Sequence, residues 1–349
     1  MTAPRREPGI DVLRGLALVG VVLGHWLVTA PLAPDPVTGA VRLDSPLRTM
    51  PDLAPVSWLL QTLGLFCLVA GFAAARSRGA STEPPIGWWW LRMRRLAGPG
   101  AVLLAAVSVG VVVLGMAGAP QGLVGRVVRI AVTPLWFLGV YLVLSAATPP
   151  LVRLDARFGG WAVAGAALLA GTLAAIPETA PVGVLTAWWV PWQLGIAMAR
   201  RPLARGAAAS LLVAGAAAVV ALVASGVVPP TAVGVPGADR SNLDPPSVGT
   251  IALALAQAGA AALVLPVLSR ARGVLARVGS VGRSAYPVFL LHQTVFAAVW
   301  LGTLPVGPLH GLHDGPAAPG WLAARVCWLV VLSAVLALVL PSRAAKSPD

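Results

Sequence analysis

Gly9-Ile10-Asp11-Val12-Leu13-Arg14-Gly15-Leu16-Ala17-Leu18-Val19-Gly20-Val21-Val22-Leu23-Gly24-His25-Trp26 opens an apolar run that continues to about Ala30. A helix needs roughly 20 predominantly apolar residues to cross a hydrocarbon core, and this run is long enough. Arg5 and Arg6 ahead of it resemble the start of a secretory leader. A leader's apolar region is short and clean, whereas Arg14 stands inside this one, so it reads as a retained first transmembrane helix.

The rest of the chain repeats the pattern. Of its 349 residues, 58% are hydrophobic and 11% charged, against about a quarter charged in a soluble domain. That composition excludes a single soluble globular fold, and it excludes disorder, which requires low hydrophobicity. Ten stretches qualify as spans, near 10–30, 53–75, 98–118, 127–148, 161–177, 182–199, 206–228, 248–268, 284–304 and 320–340. The third, seventh and tenth lack polar interruptions and read as lipid-facing or packing helices. The expectation is an all-α polytopic integral membrane bundle of about ten transmembrane helices, one domain over 1–349 ending in a short cytoplasmic tail at 341–349.

Orientation follows from the positive-inside rule. With the N-terminus inside, 18 of the 25 Lys and Arg fall in inside segments, six fall outside, and Arg14 lies within the first span. Every inside segment is basic, so the N- and C-termini are both expected to be cytoplasmic. Loops 31–52, 228–247 and 305–319 are then outside. A net charge of +13 would suggest nucleic acid in a soluble chain; here it suggests loops beside anionic lipid. The expected partner is therefore the bilayer, with no nucleic acid. Lys346 is the lone lysine among these cations, and the bias toward Arg, Ala, Gly, Val and Pro suggests a GC-rich bacterial coding sequence, hence a bacterial inner or plasma membrane. Cys67 and Cys327 both sit in apolar runs, which supplies neither a disulfide framework nor a zinc site.

Chemistry in such a chain is sought among polar groups inside spans. Arg14 and His25 are eleven residues apart. Eleven steps of about 100° return to within ~20° of one helix face, ~16 Å farther along the axis. Arg14 has two readings: it lines a polar channel, or it snorkels to the inner interface and pairs with Asp11 at i,i+3. His25 lies toward the outer end, as a packing residue or as part of that channel. His292, in the ninth span, reads more readily as packing, hydrogen-bonded to Gln293 or a neighbouring helix, than as catalytic. Gln193, among Trp188, Trp189 and Trp192, lines a cavity or makes an interhelical contact. His310, His313 and Asp314 have metal-ligand atom types, but their Gly- and Pro-rich loop offers no rigid helix to place them, so no metal is expected.

An Arg, ten residues, then a His, preceded by Ile10-Asp11-Val12-Leu13 and followed along the chain by further stretches in order, resembles the membrane-bound acyltransferase-3 family. Those stretches are Gly64-Leu65-Phe66-Cys67-Leu68-Val69-Ala70-Gly71-Phe72 with Arg76, Pro134-Leu135-Trp136-Phe137-Leu138 through Ser145 and Pro149, Ser241 to Ser247, and Gly282-Arg283-Ser284-Ala285-Tyr286-Pro287-Val288-Phe289-Leu290-Leu291-His292. Val69-Ala70-Gly71-Phe72 departs from the family's usual Leu-Ser-Gly-Phe, so no catalytic role is assigned there.

The resemblance implies transfer of an acyl group, commonly acetyl, from cytoplasmic acyl-CoA to a hydroxyl of a carbohydrate, glycan or small metabolite. Acyl-CoA is then a co-substrate, and no cofactor is bound permanently. It implies His25 as general base, for which an imidazole is the side chain best suited near neutrality, and Arg14 toward the donor. Trp88-Trp89-Trp90-Leu91-Arg92-Met93-Arg94-Arg95, placed just before the third span, supplies guanidiniums for the donor phosphates, or else only an aromatic belt and topogenic charge. The rival classes are a proton-coupled transporter or flippase using the Arg14 and His25 path, and a protein of lipid-linked glycan assembly without acyl chemistry. Inverted repeats are common among transporters and none is visible here, which weighs against transport.

Overall fold

The computed structural model describes residues 7–270 and 272–340; the proposed tail at 341–349 lies outside the described residues. In chain order the helices are α1 (Pro8–Val28), α2 (Pro46–Thr49), α3 (Ala54–Leu60), α4 (Leu63–Gly79), α5 (Pro85–Met116), α6 (Gln121–Val132), α7 (Leu135–Phe158) and α8 (Gly160–Ala174). They continue with α9 (Ala180–Arg200), α10 (Arg205–Ala224), α11 (Val248–Leu268), α12 (Val274–Arg283), α13 (Ala285–Thr303) and α14 (Trp321–Val339). A two-residue antiparallel ribbon, β1 (Ala30–Pro31) with β2 (Leu43–Asp44), pairs Ala30 with Asp44 and Pro31 with Leu43. The all-α membrane bundle expected from composition is what the chain forms.

All ten expected spans are helical, with two corrections. Nine of the helical segments among the described residues are long and apolar enough to cross a membrane; the fifth, α8, has only 15 residues. At 1.5 Å per residue it reaches about 22 Å, short of a hydrocarbon core of roughly 30 Å. The third begins at Pro85, so the Trp- and Arg-rich segment is the first part of α5 and not a loop ahead of it. Pro99 falls inside that helix, continuing it where the sequence suggested a start. Lipid-facing character is as expected for α5, α10 and α14, whose apolar windows are only 11%, 11% and 17% buried.

The chain divides into two compact units. The first takes in residues 7–21, 52–97 and 137–285 of the described chain. Its core joins Ile10 and Leu13 of α1, Leu68 and Phe72 of α4, Leu194 and Met198 of α9, and Ala258 and Ala261 of α11. Helices α4 and α9 cross at backbone contact: a Cβ on Gly71 would fall 2.2 Å from the Trp192 carbonyl oxygen, and one on Gly195 2.0 Å from that of Leu68. Only glycine allows this approach, which explains the Gly71-Phe72 part of the motif by packing. Between α3 and α4 the helix breaks at Gln61-Thr62. Gln257 of α11 bridges the break, accepting from Leu65 N (3.0 Å) and donating to Gln61 O (2.6 Å), so the freed backbone groups are satisfied within the protein.

The second unit takes in residues 22–51, 98–136 and 286–340. Trp26, Phe296, Trp300 and Trp321 are fully buried in it. Indole N–H groups fasten its parts: Trp26 Nε1 donates to His292 O and Trp300 Nε1 to Pro31 O, each at 3.0 Å.

Candidate active site

His25 and His292, 267 residues apart in sequence, meet in the second unit, with His25 Nδ1 and His292 Nε2 2.8 Å apart. The rings are nearly coplanar at 8°, centroids 5.1 Å apart, so the two nitrogens face each other edge to edge. His292 is fully buried and its Nδ1 lies 2.7 Å from Phe289 O, one turn back on α13. A carbonyl oxygen only accepts, so His292 Nδ1 carries a proton and donates it there. In the neutral ring His292 Nε2 is then an acceptor, and His25 Nδ1–H donates to it. The network thus assigns the tautomer: His25 keeps an unprotonated Nε2. That nitrogen makes no hydrogen bond among the described residues. Of the two partners anticipated for His292, Gln293 or a neighbouring helix, the bond goes to the neighbouring helix, α1.

Arg14 is held by its own helix. Its Nη1 lies 3.0 Å from Asp11 Oδ1, the i,i+3 pair foreseen in the sequence, with both side chains largely buried. It belongs to the first unit and His25 to the second.

The three arginines of the α5 segment part company. Arg92 turns into the first unit, where Nη2 donates to Tyr141 Oη (2.8 Å) and Nε to Ser145 Oγ (3.4 Å). Its guanidinium lies 5.6 Å from the Trp88 ring and 5.8 Å from the Tyr141 ring. Tyr141 in turn meets Trp192 edge-on, and Trp192 Nε1 donates to Thr148 Oγ1 (3.3 Å). Arg94 and Arg95, two and three residues on, are rotated by about 200° and 300° and are exposed. Tyr141 and Ser145 were visible in the sequence only as part of a motif; no spacing rule pairs them with Arg92.

Elsewhere, Gln193 accepts from Trp189 Nε1 within its own helix (3.1 Å) and makes one interhelical contact, donating to Leu151 O of α7 (3.3 Å). Arg200 and Arg201, counted as topogenic charges, share the fully buried Asp155 at 2.8 and 3.4 Å. His310 pairs with Asp314 at 2.5 Å, while His313 points the other way, its Nε2 2.9 Å from Trp300 O. The two imidazoles therefore serve separate partners. Outside the spans, Asp35 accepts from Thr38 and Val37, and these bonds, Thr38's backbone N–H foremost, hold its carboxyl below the usual range.

The family model of the acyltransferase-3 type, described as an acyltransferase domain, matches residues 7–340. The chain belongs to the acyltransferase-3 family. No curated protein and no solved structure matches it. Membership makes this a membrane acyltransferase, and the match takes in both α1, which carries Arg14 and His25, and α13, which carries His292.

Proposed function

We propose that this acyltransferase moves an acyl group, acetyl by preference, from cytoplasmic acyl-CoA to a hydroxyl of a carbohydrate, glycan or small metabolite, with His25 as general base. The observation that carries the reading is the relay from Phe289 O through His292 to His25, which leaves His25 Nε2 as the unprotonated, basic nitrogen. As the acceptor oxygen attacks the thioester carbonyl carbon, Nε2 takes the hydroxyl proton. Collapse of the tetrahedral intermediate breaks the C–S bond, and the same imidazolium returns the proton to the departing thiolate. The products are an ester and free CoA thiol. His292 acts through His25, holding its tautomer and strengthening its hydrogen bond while the ring is charged.

For the donor, Arg94 and Arg95 supply exposed guanidiniums able to meet phosphate, and Arg92 fixes the segment against Tyr141 and Ser145. Arg14, paired with Asp11, keeps the inner part of α1 polar on the donor side. Transfer takes place in the bacterial inner or plasma membrane, the acceptor entering from the outside.

Purified protein in nanodiscs with labelled acetyl-CoA tests this reading, since slow hydrolysis of the donor is measurable without knowing the acceptor. His25→Ala is expected to lower turnover about 10²–10⁴-fold, the usual contribution of a general base, with acyl-CoA binding retained. Near-parental turnover by His25→Ala would remove the assignment.

A further inference from the structure

We propose that Arg325 is a second substrate contact, an anion-binding residue that takes a carboxylate or phosphate group of the acceptor beside the histidine pair. Calling the ligand the acceptor rests on the proposed function; the anion site does not.

Arg325 stands in the second turn of α14 and is fully buried. Its Nη2 donates to Thr29 O at 2.7 Å, but Nε and Nη1 have no acceptor among the described residues. The guanidinium lies 4.8 Å from the Trp321 ring centroid and 5.5 Å from that of Phe296. Asp314, on the loop leading to α14, has its oxygens committed to His310 and to Gly311 N. Burying a cation with unpaired donors is costly, and aromatic faces offset only part of that cost. An anionic oxygen ligand would supply the missing acceptors.

Location says which substrate. Thr29 follows His25 by one helical turn, its N–H bonded to His25 O at 3.0 Å, and Phe296 follows His292 by one turn on α13. Arg325 touches both residues. The guanidinium therefore sits about one turn, roughly 6 Å along the axis, beyond the histidine pair and toward the ends of α1 and α13 that the charge map places outside. A group bound there presents a neighbouring hydroxyl to His25, and the donor arrives from the opposite side.

The test is equilibrium binding of radiolabelled acetate and inorganic phosphate to the full-length protein in phosphatidylcholine nanodiscs, with neutral methyl acetate as control. The parent should bind at least one of the two anions saturably and not methyl acetate. Arg325→Gln should weaken that binding at least tenfold, Arg325→Lys less, and Arg157→Gln, at an exposed arginine of α7, should leave it unchanged. If Arg325→Gln does not give a monodisperse protein, Arg325→Lys and the parent decide the question. Absence of saturable anion binding in the parent, or binding kept in the Arg325 variants, would overturn the site. A fall in phosphate affinity in phosphatidylglycerol discs would make the occupant a lipid headgroup and overturn the assignment to the acceptor. Because binding needs no turnover, failure of the acyltransfer reading would leave a positive anion result standing and so be distinguishable.

Discussion

Replacing His292 by alanine isolates the contribution of the relay from that of the base itself. In the resting protein His292 Nε2 accepts one hydrogen bond from His25, at 2.8 Å. When His25 takes the acceptor proton, its Nδ1–H becomes a cationic donor, and a hydrogen bond to a charged group is worth about 1.5–3 kcal/mol against about 0.5–1.5 for the neutral one already made. The difference, about 1–1.5 kcal/mol, exists only once charge has developed, so it belongs to the transition state and its loss falls on kcat. At a factor of ten per ~1.4 kcal/mol, His292→Ala should lower kcat about 5–15-fold. The donor KM should stay the same, since the proposed role of His292 does not involve the donor. His292→Gln, whose amide oxygen can accept from Nδ1–H, should recover part of the loss. Single-turnover transfer and donor binding in nanodiscs measure both quantities, with thermal stability as the check on folding, because alanine also empties a fully buried position. A folded His292→Ala with kcat within about threefold of the parent would refute the relay and return His292 to packing.

Two further outcomes follow from the same geometry. Arg94→Gln with Arg95→Gln should raise the donor KM without lowering stability, whereas Arg92→Gln should lower the melting temperature, since it strands Tyr141 Oη and Ser145 Oγ. Equal effects of all three on KM alone would contradict the inward turn of Arg92. For topology, cysteines at Thr38 and Ala238, both exposed, should react with an impermeant thiol reagent in intact cells, in a background lacking Cys327. Ala238 is preferred to Gly237, whose φ of +83° would strain a side chain. A cysteine at Gly79 should be protected, and labelling there would invert the map.

Sequence alone determined what a single helix determines. Span positions followed from apolar length, because a chain in lipid must satisfy its backbone within each helix. The shared face of Arg14 and His25 and the Arg14–Asp11 pair followed from a rotation of about 100° per residue. The same rotation, applied to Arg92, Arg94 and Arg95, sends them in different directions, yet which of them turns inward depends on Tyr141 and Ser145 of another helix. Neighbours between helices carry no local period. Nothing within 267 residues of chain announces that His292 faces His25; that pairing is made only where α13 packs against α1. Arg325 shows the limit most sharply: in the sequence it is one of six outside charges, and only burial between Trp321, Phe296 and the Thr29 carbonyl makes it a cation with donors to fill. Charge in a sequence is a count, whereas the cost of that charge is set by the solvent and partners the tertiary structure removes or supplies.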